Sequence, residues 1–196
     1  MMTHNPGVIH TNKQVKSMAD LKGLRIRTPN PSISAVLKEF GAVPVGLPPG
    51  QIYESLQKGT IDGVTIDWTG ISAYKLNEVT KYHFDIPLYT VGFYFIMNQK
   101  SYDGLPAAVK SCVDKISGET LVKKFGPWWN AWGQRGLDLE TAAGDPIIIA
   151  TEADKAAWKK ALGSVTAALI KDVEAAGVKN AVEIRDLIVS RSALYD

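Results

Sequence analysis

The sequence contains a single cysteine among 196 residues, so no disulfide bond can form within the chain. Cys112 lies among apolar residues at helical spacing, and we expect a packed thiol there. No run of about eighteen apolar residues occurs, which argues against a membrane-spanning helix. Met1 to Pro6 lacks the pattern of a signal peptide. The net charge of +2, without a basic run, argues against nucleic acid as a partner.

Residues arranged for catalysis or metal binding are also scarce. The three histidines, His4, His10 and His83, have no ligand-like spacing, and no zinc or calcium motif is present. The sequence has neither a glycine-rich phosphate loop nor the strand-to-helix elbow of a hydrolase nucleophile. We therefore predict no cofactor and no metal site, and we favour a binding protein over an enzyme.

The residues that are present predict a folded α/β protein. A content of 45% hydrophobic and 21% charged residues is enough for a sizeable core. Apolar spacing predicts strands at 24–27, 42–45 and 64–66, alternating with helices at 32–40, 51–58 and 68–76. This alternation is typical of a parallel sheet flanked by helices.

The second half of the chain is predicted to be mostly helical. Tyr89 to Met97 has no polar residue after Thr90, which predicts a buried strand. A long helical pattern begins at Leu105, and Gly126-Pro127 should bend or break it. The remaining predicted elements are a strand at 146–150, a helix opened by a capping box at Thr151 and a last helix at 182–190.

Arg27 is the main candidate for a ligand contact. It lies at the carboxyl end of the first predicted strand, just before a helix, and open α/β sheets bind ligands at such positions. A guanidinium group offers a planar fork that fits a carboxylate, and the helix start adds attraction for an anion. The alternative is that Arg27 is a solvated surface charge.

Three further residues are expected near Arg27, each with a structural alternative. Asp67 and Trp68 follow the strand at 64–66, so they fall on the same edge of the sheet. Asp67 can accept a hydrogen bond from a ligand or cap a helix, and Trp68 can wall a ligand or belong to the core. Asn30 can donate to a carboxylate or serve as a turn residue.

Two other groups have competing interpretations. Trp128, Trp129 and Trp132 can form a ligand cage, although helix packing explains their spacing better. Asp62 and Asp67 can be considered a carboxylate pair, but Asp62-Gly63 is better explained as a turn into a strand.

Several spaced motifs resemble one family of receptors. The segment A-D-L-K-G-L-R-I-R-T-P-N (Ala19 to Asn30) resembles the central signature of solute-binding proteins of tripartite ATP-independent periplasmic (TRAP) transporters. Further resemblances follow in the family's order, at Ile52 to Gly63, Met97-Asn98 and Tyr102 to Pro106. The resemblance covers nearly the whole chain.

The resemblance implies a receptor that closes on a small organic acid. The family arginine that pairs with the ligand carboxylate corresponds to Arg27, and the family's second contact region corresponds to Ile66, Asp67 and Trp68. Many members carry an asparagine in that region, which this chain lacks. A second arginine of some members would fall near Gly7 and is missing as well.

Members of the family have two lobes and are longer than this chain. The resemblance therefore implies a periplasmic-binding-protein-like lobe, with a mixed or parallel sheet flanked by helices and with most of the first lobe missing. Residues 1–92 and 133–196 would form the second, ligand-binding lobe, and residues 93–132 would be a strand and a helix that complete the first. The implied location is the periplasm, and the implied partners are an organic acid and the permease subunits in the membrane.

Three expectations remain open on the sequence alone. Segment 93–132 carries an apolar strand and an aromatic helix face whose partner lobe, by the resemblance, is missing. We therefore expect the chain to self-associate through it, or else the segment folds back over its own lobe. An α/β enzyme that uses Asp62 or Asp67 as a base is the first alternative to a receptor. A repurposed interaction or sensor module is the second.

Overall fold

The computed structural model describes residues 2–192. The strands are β1 (Met2–Thr3), β2 (Gly7–Thr11), β3 (Arg25–Thr28), β4 (Val43–Gly46), β5 (Gly63–Ile66), β6 (Tyr82–Tyr89), β7 (Gly92–Phe93) and β8 (Ile147–Ile149). The helices are α1 (Pro31–Glu39), α2 (Ile52–Gln57), α3 (Trp68–Ala73), α4 (Gln99–Asp103), α5 (Ala107–Ile116), α6 (Gly118–Ala143), α7 (Glu152–Ala175) and α8 (Ala181–Ser192). Among these residues, no helix is both long enough and apolar enough to cross a membrane.

The main sheet has six strands in the order β4-β3-β5-β2-β6-β8. Strand β3 runs parallel to β4 and β5, and β6 runs parallel to β8, but β2 is antiparallel to both of its neighbours. The sheet is therefore mixed, which confirms the predicted α/β class. The carboxyl ends of β3, β4, β5 and β6 and the start of β2 all meet at one edge, called here the site edge.

Helices cover both faces of the sheet with separate apolar clusters. On one face, Trp158 of α7 packs with α1 and β6, and its indole donates to the carbonyl of Leu88 at 2.9 Å. On the other face, Leu56 of α2 and Ile71 of α3 pack with Val8 and Val64 of the sheet. The sheet that carries the site edge is therefore packed on both faces.

Local signals in the sequence explain how the elements begin and end. Helix α1 starts with Asn30 as its N-cap, whose side chain accepts a hydrogen bond from the amide of Ile33 at 3.0 Å, and Pro31 follows. Helix α7 starts at the predicted capping box, in which Thr151 and Asp154 satisfy each other's amides.

The structure corrects three predictions in the second half. Tyr94 to Met97 is not a buried strand, because β7 ends at Phe93, these four residues form no strand, and Ile96 is 90% exposed. The long helix does not break at Pro127; it is interrupted at Ser117, and Gly118 there has a φ of +58°. Cys112 is exposed on α5 rather than packed.

Helix α6 runs without interruption through the expected boundary between residues 132 and 133. The division into 1–92, 93–132 and 133–196 stays a prediction. What the structure shows is that the first part of α6 is largely exposed, whereas Gly133, Gly136 and Glu140 are buried against the lobe.

The turn at Asp62 is fixed by ion pairs. The carboxylate of Asp62 accepts two hydrogen bonds from the guanidinium of Arg25, at 2.9 and 3.1 Å, and lies 3.0 Å from the ammonium of Lys13. The hydrogen bonds from Arg25 are the main cause that holds the pKa of Asp62 well below its usual range. Asp62 is thus engaged in holding the start of β5, as the turn interpretation has it.

We expect Asp62→Asn to lower the free energy of unfolding at pH 7 by about 1–2 kcal/mol, because Arg25 and Lys13 are largely exposed and screening weakens their pairing. A carboxyl with a lowered folded-state pKa stabilises the protein above its unfolded pKa, and this contribution is lost as the pH falls below about 4. In urea denaturation, the free energy of unfolding should fall less between pH 7 and pH 2 in the variant than in the parent protein. Glu54→Gln, which breaks an exposed pair with Lys58, is the control and should change the free energy of unfolding little. Equal pH dependence of that free energy in the parent protein and both variants would contradict the prediction.

Candidate functional site

Arg27 is a buried cation at the site edge. Its side chain leaves the carboxyl end of β3, and the residue is only 5% exposed. Its Nε donates to the carbonyl of Leu47 at 3.0 Å and its Nη1 to the carbonyl of Thr65 at 3.4 Å. Burial lowers the pKa of Arg27, but a guanidinium stays protonated in proteins.

No carboxylate of the described residues lies within ion-pair distance of Arg27. Its Nη2 also makes no hydrogen bond to any described residue. The two carbonyl contacts fix the orientation of the guanidinium plane. They leave part of its donor fork available to an anion. The structure therefore does not support the interpretation of Arg27 as a solvated surface charge.

Arg27 and Asp67 line one cavity of about 800 Å³ at the site edge. Asp67 is 6% exposed and stands at the N-cap position of α3, but its side chain makes no capping hydrogen bond. Instead its Oδ2 accepts a hydrogen bond of 2.7 Å from the indole nitrogen of Trp129 on α6. Asp67 thus joins the loop after β5 to the long helix, within the cavity wall.

One wall of this cavity is aromatic. The rings of Phe93 and Trp129 are stacked with centroids 5.6 Å apart, and Trp132 lies 5.8 Å from Trp129. His4 adds an edge-to-face contact with Tyr89 at 5.8 Å. The wall is built from three separate parts of the chain, which meet only in the folded protein.

The ring of Tyr89 packs directly against the backbone at Gly7. A Cβ atom at Gly7 would lie 2.5 Å from the Tyr89 ring, so only glycine leaves room for it. The Tyr89 hydroxyl donates to the carbonyl of Thr65 at 3.0 Å, the same carbonyl that Arg27 contacts. Burial raises the pKa of Tyr89. The position near Gly7, where the resemblance puts a second arginine in some family members, thus packs against a phenol ring here.

The structure brings together only some of the predicted site residues. Trp68 does not line this cavity: its ring is buried on the α3 face of the sheet, 4.9 Å from the ring of His10. Asn30 lines a neighbouring cavity of about 750 Å³, which Arg27 also lines. The side-chain oxygen of Asn30 accepts the hydrogen bond that caps α1. Arg27 and Asp67 face a common space, as expected.

Sequence reasoning missed most of the aromatic wall. Trp129 belongs to the tryptophan cluster noted in the sequence, and its indole N–H donates to Asp67 in the cavity wall. Tyr89 and Phe93 had been assigned to a buried strand. His4 carried no local signal, because its role depends on β1 pairing with β7.

A second polar group lies away from the cavity, on β6 and α6. The Nε2 of His83 is 3.4 Å from Oε2 of Glu140, and both side chains have no exposed surface. The Nδ1 of His83 is 2.8 Å from the Nδ1 of His10, whose Nε2 contacts the carbonyl of Ile66 at 3.3 Å. Burial is the main cause that holds the pKa of His10 well below its usual range. Asp145 completes a set of side chains whose metal-ligating atoms lie within 4.8 Å of one another.

An α/β lobe with a buried arginine beside an aromatic wall, at the carboxyl edge of its sheet, has the organisation of a small-molecule receptor. The sequence matches the family model described as DctP, bacterial extracellular solute-binding protein, family 7, over residues 3–172. The chain therefore belongs to the family 7 bacterial extracellular solute-binding proteins, and the resemblance to TRAP receptors is confirmed.

Relatives with known structures share the fold closely. A TRAP solute-binding protein from Rhodoferax ferrireducens, solved with copurified benzoate, is 32% identical with a TM-score of 0.87, covering 99% of this chain and 63% of that one. A marine metagenome TRAP protein specific for aromatic acid ligands, solved with 3-hydroxybenzoate, is 33% identical with a TM-score of 0.86, covering 96% of this chain and 61% of that one.

Among curated relatives, the 2,3-diketo-L-gulonate-binding periplasmic protein YiaO of Escherichia coli is 32% identical over 174 residues, which is 85% of this chain and 50% of that protein. The chain thus spans about half the length of the curated relatives that it matches first.

Proposed function

We propose that this chain carries the ligand-binding part of a receptor for a small aromatic carboxylate. The observation that carries the proposal is the unpaired guanidinium of Arg27, held by two carbonyls and only 5% exposed. A buried cation without an anionic partner is unfavourable, and a ligand carboxylate supplies that partner with paired hydrogen bonds.

The aromatic wall supports a ring in the ligand. Tyr89, Phe93 and Trp129 offer ring faces and edges in the cavity that Arg27 lines, and aromatic pairs gain from offset or edge-to-face contact. Two similar proteins were solved with benzoate and with 3-hydroxybenzoate. Asp67 would accept a hydrogen bond from a ring hydroxyl and would repel a second carboxylate.

The proposal makes the chain a binding protein rather than an enzyme. Asp62, one candidate base, is engaged by Arg25 and Lys13, and its pKa lies well below the range of a useful base. Asp67, the other candidate, already accepts a hydrogen bond from the indole N–H of Trp129. The family to which the chain belongs is one of solute-binding proteins.

A ligand panel tests the proposal by isothermal titration calorimetry. We expect the chain to bind benzoate and 3-hydroxybenzoate, the latter more tightly, and to bind L-malate at least about tenfold more weakly, because a second carboxylate would face Asp67. The cavity is open to solvent, so we expect dissociation constants weaker than micromolar. Malate binding as tight as benzoate binding would overturn the aromatic assignment, and binding of none of the three acids would overturn the proposed function.

The location and the transport partner follow from the family. Curated relatives are named as periplasmic binding proteins, and we propose the same compartment here. We also propose that the receptor delivers its acid to the membrane permease subunits of a TRAP transporter.

We further propose that the chain self-associates through segment 93–132. The segment exposes apolar side chains that are costly to leave in water. Tyr94 is 70% exposed, Phe95 74% and Ile96 90%, and Trp128 is half-exposed. Part of the segment does contact its own lobe, since Phe93 stacks on Trp129, which reaches Asp67. The remaining exposed face favours a second copy of the chain as its partner.

Light scattering at low micromolar concentration should therefore give the mass of a dimer. Replacing Phe95 and Ile96 together with serine should return the mass of a monomer, because these are the most exposed apolar side chains of the segment. Ile188→Ser, at a 62% exposed position on α8, is the control and should leave the dimer intact. A monomeric parent protein with tryptophans shielded from quencher would favour the fold-back alternative instead.

A further inference from the structure

We propose that His83, Glu140 and Asp145 bind a divalent transition metal, with zinc as the best match. The three residues come from β6, the end of α6 and the loop before β8, so the metal would join the long helix to the sheet. This proposal does not depend on the ligand of the Arg27 cavity.

The first argument is that the polar atoms at this position lack hydrogen-bond partners. Both carboxylate oxygens of Glu140, the Nε2 of His83 and the Oδ2 of Asp145 are buried without a hydrogen bond among the described residues. An unsatisfied buried carboxylate is among the costliest groups in a protein interior. The 3.4 Å contact between His83 and Glu140 is too long to count as a good hydrogen bond.

The hydrogen-bond chain fixes which nitrogen of His83 is available. The carbonyl of Ile66 can only accept, so the Nε2 of His10 carries a proton. In the neutral tautomer with its proton on Nε2, His10 accepts at Nδ1. His83 then donates from Nδ1, and its Nε2 faces the Glu140 carboxylate at 3.4 Å. A metal ion bound between this nitrogen and the carboxylate would give both groups a partner.

The donor set identifies the cation. Zinc takes both imidazole nitrogen and carboxylate oxygen as ligands, with bonds of about 2.0–2.2 Å to each. Ligand atoms at such distances from a common centre lie about 3.3–3.5 Å apart, close to the 3.4 Å between His83 and Glu140. Magnesium and calcium prefer all-oxygen sets, so they fit less well.

The surroundings fit a metal that arrives from solvent. The side chain of Asp145 is 14% exposed and gives a path to the site. Its present contact is the ammonium of Lys81 at 3.6 Å, and that lysine is 57% exposed and free to turn outward. His10 hydrogen-bonds to the Nδ1 of His83, and this contact would hold the imidazole in place with its Nε2 toward the metal. A divalent cation would also neutralise the two carboxylates.

The experiment uses the whole chain, stripped with a chelator, desalted and then supplied with zinc chloride. We expect about one zinc per chain after desalting, measured by inductively coupled plasma mass spectrometry. The melting temperature should rise by about 5–10 °C at a zinc concentration 100 times the dissociation constant. Calcium chloride at the same concentration should give no shift. Retention of no zinc by the parent chain would overturn the proposal in favour of a buried His83–Glu140 ion pair.

Variants separate a metal site from adventitious binding. Asp145→Ala and Glu140→Gln should each weaken zinc affinity by more than about 100-fold, beyond the effect of losing an outer partner. Asp138→Asn, which changes an exposed carboxylate on the same helix as Glu140, should bind zinc as tightly as the parent chain does. The visible absorption of cobalt(II) bound in place of zinc should be lost in Asp145→Ala, a partly exposed position where the fold should survive. Equal zinc affinity in all variants would place the metal elsewhere and overturn the assignment.

Discussion

Arg27→Ala should weaken benzoate binding by about 30-fold to several thousand-fold. Removing one partner of a buried charge pair costs about 2–5 kcal/mol, and every 1.4 kcal/mol is tenfold in affinity. The effect should be this large because Arg27 is buried and no other described side chain pairs with it or replaces it. Calorimetric titration of benzoate into both proteins measures the difference.

Arg27→Lys tests whether the fork or only the charge is needed. A lysine ammonium is a point charge and cannot hold both backbone carbonyls while pairing with a carboxylate, so we expect an intermediate loss. Arg25→Lys is the matched control, two residues earlier on the same strand, because Arg25 pairs with Asp62 outside the cavity. If Arg27→Lys and Arg25→Lys bind benzoate equally, Arg27 is not the carboxylate anchor.

Arg27 could be predicted from the sequence because its position depends on local signals. A strand that ends before Pro29 and a helix that begins at Pro31, capped by Asn30, place residue 27 at a strand end, whatever the rest of the fold does. Asp67 follows another strand in the same way. Strands β3 and β5 are parallel neighbours, so the two residues share the site edge, as the alternation of elements predicted.

The direction of a side chain within the fold could not be predicted in the same way. Trp68 and Trp129 are both tryptophans near the site, yet Trp68 is buried against His10 while Trp129 reaches the cavity from α6. Nothing close to either residue in sequence decides this. It depends on how α6 crosses α3, which is a contact between distant parts of the chain.

The buried histidine group was missed for the same reason. His83, Glu140 and Asp145 come from separate elements, so spacing rules for metal motifs do not apply to them. The mixed sheet brings His10 of β2 beside His83 of β6 in antiparallel register. The sequence pattern places His83 in no element, because it does not predict β6.

Gly136→Ala should lower the free energy of unfolding by about 2–4 kcal/mol. A Cβ atom at this position would lie 1.9 Å from the backbone carbonyl oxygen of Trp68, and a backbone atom cannot move aside as a flexible side chain can. The gain in helix propensity from alanine, about 1 kcal/mol, offsets only part of this cost. For a chain of this size the melting temperature should fall by about 5–15 °C.

Gly163→Ala provides the matched control for this substitution. It changes the same residue type in the middle of helix α7, where a Cβ atom would meet nothing within 4 Å, so it should raise stability by about 0.5–1 kcal/mol. Opposite signs for the two glycines would show that α6 lies in backbone contact with α3. Because Asp67 and Trp68 lie at the start of α3, displacing α6 should also lengthen the Asp67–Trp129 contact and weaken benzoate binding. If Gly136→Ala is as stable as Gly163→Ala, the two helices are further apart than this, and α6 does not hold the aromatic wall against the site edge.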